Sequence, residues 1–363
     1  MSETPTQRLW KLQARPLLFG GHRRDSEVVD IFHELAAACD RATIFTMAPY
    51  FLTDAVADVR KAAVEALHTI LSTLQTFQIL ELSGHFEASS RADYWGTSEK
   101  WRNLQPSRLS EIASGEKTRV SVLGYASFHR NGFVRHEAAR QLATIHDGTE
   151  LPFLLIRQND WVAPISADAR DAVRERLTPE YLPHFVANLA LVLHLLTFQR
   201  HDHSQIVQRI VELLLKPNAD AIFANAVRSP IRRVRREIMR IALACESEHT
   251  LRVVQHGISS NDSAIRLWSA RQLASCLAGD TLREALSTLK CDPFMPVRRA
   301  AMLIEADKFP EAAIAVWKAG LLDSNTSLRE LSQIAFKKLS RSSEKTMQPC
   351  RVLPQICVRV HRV

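Results

Sequence analysis

Residues 261–273 read NDSAIRLWSARQL, and this stretch decides the fold. Asn261 and Asp262 make a polar turn, Ile265-Arg266 opens the segment behind it, and Ser269 places a small side chain four residues after Ile265. Asp and Asn accept hydrogen bonds from the free N–H groups of a first helical turn, so the pair marks a helix start. The arrangement recurs. An aliphatic residue followed by arginine stands at Val234-Arg235, Ile265-Arg266, Val297-Arg298 and Leu328-Arg329, the arginines 31, 32 and 31 residues apart. Val59-Arg60 and Val134-Arg135 are earlier copies, Ala169-Arg170 is a degenerate one, and the missing member falls near Ile206-Val207. The turns ahead of these copies carry Ser229-Pro230, Asp292-Pro293 and Asp323-Ser324-Asn325, residues that cap a helix or fit its first position.

Four residues after the aliphatic position the side chain is small in most copies: Ala63, Ala138, Ser269, Ala301 and Ser332, with Ile238 the exception. A small residue there lets neighbouring helices approach closely. Ahead of each turn lies a second apolar-periodic segment, as at Leu282, Ala285, Leu286 and Leu289, which follow i, i+3, i+4, i+7 spacing. A helix pair of this size cannot bury its apolar faces alone, and stacking on its neighbours makes one continuous core. The expected fold is therefore all-α, an α-solenoid of about seven to nine stacked helical hairpins filling residues 27–340.

The stretches Asn131–Leu142, Asn261–Leu273 and Asp292–Ala301 resemble the HEAT-repeat superfamily, specifically its short bacterial form, the phycobilisome-lyase type of HEAT-like repeat. The resemblance covers about residues 50–340 and is weakest between Gln75 and Thr118. It implies an inter-repeat ladder in which a turn aspartate meets the Val-Arg arginine of an adjacent repeat. Carried over, the ladder would use Asp262, Asp292 and Asp323 with Arg235, Arg266, Arg298 and Arg329. On function the resemblance is nearly silent, because HEAT arrays serve as scaffolds, adaptors, lyases and DNA-repair enzymes.

Composition agrees with a packed helical chain. Of 363 residues 46% are hydrophobic and 24% charged, with only 11 glycines to interrupt helices. The net charge of +8 is concentrated at one end, since from Lys337 onward seven Lys and Arg face only Glu344. Whole-chain charge is thus weak evidence for nucleic acid. The most apolar stretch, Phe185 to Phe198, is too short to span a bilayer and reads as a buried helix. The opening residues carry no apolar segment of the signal-peptide kind, so no membrane is expected and a cytoplasmic location is. None of the six cysteines forms a C-x-x-C pair, and they read as small buried hydrophobes in a reducing compartment.

Three regions fall outside the repeat. Residues 1–26 read as a loosely ordered lead-in, and 84–106 as an insertion or worn repeat whose Tyr94, Trp95 and Trp101 pin it to the array. Residues 341–363 read as a basic, disordered tail, so different in composition that it need not be the family's native terminus.

Few residues suggest chemistry. Arg232, Arg233, Arg236 and Arg240 fall together on a helical wheel opposite a stripe of Ile231, Val234, Ile238 and Ile241. Guanidinium groups so grouped suit phosphates or an acidic partner, although such faces are commonly only solvated. His201-Asp202-His203 falls short of a converging metal-ligand set. Arg157, Asn159, Asp160 and Trp161 invite comparison with the HEAT-like alkylpurine DNA glycosylases, which hold a damaged nucleotide with Trp, Asp and Arg. Yet Asn159-Asp160 occupies the same turn as Asn261-Asp262, which makes Asp160 a capping and ladder residue and Trp161 a packing residue of the hairpin. No phosphate loop, dinucleotide fingerprint or nucleophile elbow is present, and no cofactor or metal is expected. The leading expectation is a non-catalytic scaffold that binds a protein or peptide on its concave surface. The alternative is nucleic-acid binding, extending to alkylpurine-type repair, and a lyase or transferase follows only by family analogy.

Overall fold

The structure, a computed structural model, describes residues 4–14, 25–76, 78–84, 99–245 and 249–346. Among these the chain is all-α, with helices, short 3-10 turns and no strand. No described helix is long and apolar enough to cross a membrane. The chain divides into two compact units, residues 1–241 and 242–363.

In the second unit the helices Thr250–Ile258, Ser263–Cys276, Gly279–Leu289, Met295–Lys308, Ala313–Gly320 and Thr326–Thr346 follow one another across short turns. Each packs on the next, and Ser263–Cys276 also packs on Met295–Lys308, two helices on. Leu273, Leu282, Leu286, Leu289, Val297 and Ala301 form one buried cluster, and Met302, Val316, Trp317 and Leu328 a second. Aspartates start the helices. Asp262 accepts from the Ala264 N–H at 3.0 Å, Asp292 from Phe294 at 2.7 Å and Asp323 from Asn325 at 2.7 Å. Ser269, Ala301 and Ser332 are wholly buried, at the positions where a longer side chain would push helices apart. Gly320 sits so close to Ser332 and Met302 that an added Cβ would collide with both.

The first unit opens with the helices Pro5–Ala14, Asp25–Ala37, Arg41–Phe51 and Ala57–Thr73. Part of the expected loose lead-in is therefore ordered. Leu9 is fully buried, Thr6 and Thr43 share a hydrogen bond of 2.7 Å, and Arg8 reaches Glu34 at 3.1 Å. The expected array end at residue 340 also shifts, because the last helix runs on to Thr346. Of the 84–106 segment, residues 85–98 with Tyr94 and Trp95 lie outside the described residues. Trp101 is buried against Tyr125 and His129 at ring separations of 5.6 and 5.2 Å. The apolar run from Phe185 is not one helix. It breaks at Asn188 between Leu182–Ala187 and Leu189–His194, where the Asn188 amide donates to the His184 carbonyl at 2.8 Å. A short amide that bonds the backbone locally competes with the helix ladder.

The cysteines correct another expectation, because Cys39 and Cys291 are exposed rather than buried. Cys39 has φ 52°, and around it the Cys39 N–H reaches the Ala36 carbonyl at 3.1 Å and the Asp40 N–H the Leu35 carbonyl at 3.0 Å. That is the Schellman ending, whose left-handed position favours glycine. Cys39→Gly is expected to raise stability by ~1 kcal/mol, because a Cβ is costly at that φ. A rise in urea midpoint checks it, and an unchanged or lower midpoint refutes it.

Candidate functional site

The best-formed site lies in the first unit, around the turns that precede two helices, Gly132–Ala143 and Ala163–Glu175. Asn131 starts the former by accepting from the Phe133 N–H at 3.0 Å. One turn in, Arg135 folds back, and its Nη1 donates to the carbonyls of His129 (2.9 Å) and Arg130 (3.0 Å). Its other edge reaches across to the next turn, where Nε and Nη2 donate to Asp160 Oδ2 and Oδ1 at 3.0 and 3.2 Å. Arg157, from the end of the Leu151–Arg157 helix, donates Nη1 to Asp160 Oδ2 at 2.7 Å and Nη2 to Ser83 Oγ at 3.3 Å. The Val162 N–H fills the remaining place on Oδ1 at 2.9 Å.

Asp160 is thus a buried carboxylate held by two arginines and a backbone N–H. Burial alone would raise its pKa, but the Arg135 hydrogen bond and the Arg157 charge outweigh it and hold the group below the usual carboxylate value. With both oxygens engaged, Asp160 has no free lone-pair direction for a substrate. It is placed to anchor the turn, not to act as base or nucleophile.

Above this pair the cleft opens. Trp161 is 69% exposed and does not pack into the helix pair as the sequence suggested. Its ring lies over the Arg135 guanidinium, 5.4 Å from it. The turn aspartate points inward to its two arginines, and the next residue along is therefore turned out to solvent. Arg130 and Arg200 stand exposed on the same cleft, Arg200 donating to the Asn159 carbonyl at 3.2 Å. Phe128 and Phe198 supply apolar lining, and Leu80, Ser83 and Gly84 complete the wall. The cleft encloses about 470 Å³, with four arginines facing one saturated aspartate. Asn159 Oδ1 is buried beside it with no hydrogen-bond partner. His129, at its floor, accepts from the Asn131 N–H through Nδ1 at 3.0 Å and donates from Nε2 to the Trp101 carbonyl at 2.8 Å. Burial lowers the His129 pKa, and the charges of Arg135 and Arg130 lower it further against the pull of the Trp101 carbonyl. The ring is neutral at neutral pH, so the positive charge of the cleft comes from arginine.

The wall at residues 78–84 reaches the site from far away in sequence. Thr76 donates to Asn188 Oδ1 at 3.1 Å, across 112 residues, and Ser83 meets Arg157 across 74. Nothing in the repeat pattern signals this. One signal of the cleft was legible: Trp161 stands where the other turns carry Ser263, Pro293 and Ser324.

The other sequence candidates are placed as follows. Arg266 grips Asp292 at 2.7 and 3.0 Å, and Arg298 grips Asp323 at 2.8 and 2.7 Å. Arg329 braces its own turn, at the Asp323 and Ser324 carbonyls and Thr326 Oγ1. Arg235 also braces its own turn, at the Ser229 and Pro230 carbonyls at 3.3 and 3.4 Å. The arginine face is less open than the wheel suggests. Arg232, Arg233 and Arg240 are exposed and Arg236 half-buried, but Glu237 sits among them and takes both Nη2 and Nε of Arg240 at 2.6 and 3.2 Å. The buried stripe is Val234, Ile238, Met239 and Ala242 rather than one that includes Ile231, which is 43% exposed. The helix starts at Arg232, so Ile231 precedes it and is not bound by its wheel. His203 of the His201-Asp202-His203 turn is buried, while Asp202 caps Ser204 at 2.9 Å.

The fold and site define an all-α protein with a cationic, tryptophan-bearing cleft. No family model matches the chain, and no curated protein matches it. Among solved structures it is similar to an engineered protein of the Northeast Structural Genomics Consortium at 16% identity, over 93% of this chain and 99% of that one, with a TM-score of 0.35. That likeness is too loose to bear on function.

Proposed function

We propose that the chain is a non-catalytic, HEAT-like solenoid of the cytoplasm that binds a protein partner, and that the Trp161 cleft holds an acidic segment of that partner. The observation that carries this reading is the exposed Trp161 ring, lying on Arg135 between the exposed side chains of Arg130 and Arg200. What supports the repeat is the recurrence of one device, an arginine that braces its own turn and grips the next turn's aspartate, at Arg135, Arg266 and Arg298. An aromatic anchor ringed by arginines is the composition of binding hot spots, and four arginines against one neutralised carboxylate call for an anionic occupant. Saturation of Asp160 argues against a repair chemistry that would need its carboxylate.

A second reading, single-stranded nucleic acid, draws on the same ring, because an exposed aromatic among arginines is also a stacking platform beside phosphate contacts. Fluorescence anisotropy separates the two. A labelled peptide alternating Glu with Phe, a single-stranded RNA and a duplex DNA would be titrated at two salt concentrations into wild type, Trp161→Ala and Arg130→Glu/Arg200→Glu. The expected result is peptide binding that weakens about tenfold or more in both variants. Tighter, steeply salt-dependent RNA binding lost in the same variants would transfer the site to nucleic acid. Variants that bind every probe as wild type does would overturn the assignment of the cleft.

A further inference from the structure

The recurring arginines provide an internal standard for one that is differently served. Arg135, Arg266 and Arg298 each turn Nη1 back to the carbonyls of their own turn and offer the Nε–Nη2 edge to an aspartate 25 or 26 residues on. Arg60 makes the same brace, Nη1 donating to the Asp54 carbonyl at 2.7 Å and the Ala55 carbonyl at 3.1 Å. Its Nε–Nη2 edge, however, holds no hydrogen-bond or ion-pair partner among the described residues. Arg60 lines a cleft of about 450 Å³ between the Ala57–Thr73 helix and the loop at residues 114–118. Leu52, Val64 and Ile112 give that cleft an apolar side.

We propose that Arg60 is a carboxylate-binding site that receives an Asp or Glu side chain of a bound polypeptide, independently of the Trp161 cleft. The ligand chemistry follows from the three filled examples. A guanidinium edge matches the two oxygens of a carboxylate, and a guanidinium already braced through Nη1 loses little freedom on binding. The surrounding charges choose the carboxylate over a phosphate. Arg60, Lys61 and Lys117 face Glu65, Glu111 and Glu116 around the cleft. Glu65 is engaged by Lys61 at 4.0 Å and Glu111 by Arg108 at 2.9 Å, which leaves Arg60 and Lys117 against Glu116. One added negative charge is balanced there, whereas a dianion, or the successive charges of a nucleic-acid backbone, exceeds that one surplus positive charge.

The full chain with ¹⁵N-labelled arginine tests this by its Arg60 Nε–H resonance, assigned by its disappearance in Arg60→Lys. N-acetyl-aspartate amide, its asparagine counterpart and inorganic phosphate would be titrated in turn. A saturable shift of the Arg60 signal with the aspartate probe, none with the asparagine probe, and at least a tenfold weaker response to phosphate is the expected result. The Arg135 signal, whose edge is already filled, stays in place. An Arg60 signal that ignores the aspartate probe, or follows phosphate equally well, overturns the proposal. The titration is read on the wild-type chain, and a second assignment by Arg60→Gln covers the case of a lysine variant that folds poorly.

Discussion

Replacing Asp160 by alanine is expected to lower folding stability by about 3–5 kcal/mol, because it leaves two buried arginines without their shared anion. Arg135 and Arg157 are 5% and 7% exposed in their side chains, so water cannot replace the carboxylate without opening the turn. Asp160→Asn should cost nearly as much, since an amide keeps the shape but loses the charge and turns one acceptor into a donor. Denaturant unfolding of the first unit reads the loss, and the triple change Asp160→Ala/Arg135→Met/Arg157→Met should recover part of it. A single Asp160→Ala change that costs under ~1 kcal/mol would show that this pair is not the buried unit described. The pH dependence has a definite sign. The folded pKa of Asp160 lies below its ordinary 3.8, so the unfolded state binds the proton more readily. Its contribution is complete above that ordinary value and is lost as pH falls through the folded one. An Asp160 variant with no partner binding would therefore report on folding, and the cleft is better probed at Trp161.

The second large effect is expected at Arg176. Its side chain is buried, with Nε on Glu150 Oε1 at 2.7 Å, Nη1 on the Ala172 carbonyl at 2.7 Å and Nη2 on the Ala143 and Ile145 carbonyls. One guanidinium thus ties its own helix to the end of the Gly132–Ala143 helix and to the start of the Leu151–Arg157 helix. Tyr181 donates to the same Glu150 oxygen at 2.9 Å, and burial, then Glu150 itself, pushes the phenol up to about 12. Arg176→Met should cost about 3–5 kcal/mol, because Glu150 stays buried without its cation. Arg176→Lys should rescue little, since an ammonium cannot span four acceptors set at fork geometry. Arg176→Met/Glu150→Leu should recover much of the loss. The midpoints of urea unfolding for the three variants decide it, and near-identity of Arg176→Lys with wild type would refute the role.

Arg176 also shows where reading a sequence stops. It does not stand in a Val-Arg copy, and no periodicity separates it from the exposed Arg174 two residues earlier. Two of the inter-repeat pairs that the HEAT-like resemblance implies are formed, each joining an arginine to the turn aspartate one repeat on. Arg266 with Asp292 and Arg298 with Asp323 are nearest-neighbour contacts, set by helix length and turn length. The arginine face at residues 232–240 is partly answered from within, because a wheel shows which side chains share a face and not that Glu237 pairs with Arg240. Ile231 was misplaced for a related reason: a wheel has no meaning before the helix begins.

The sequence by itself determined the local elements: where helices start, since Asp and Asn caps act within two residues, which faces are apolar, and where small side chains let helices meet. These are short-range effects, and a chain of 363 residues repeats them visibly. The tertiary structure alone decided the cleft. Thr76 returns to Asn188 and Ser83 to Arg157 beside it, while Asp160 turns inward to two arginines and leaves Trp161 in solvent. Such a site depends on contacts made 74 and 112 residues apart, and no local preference of the backbone encodes which distant surface a segment will meet.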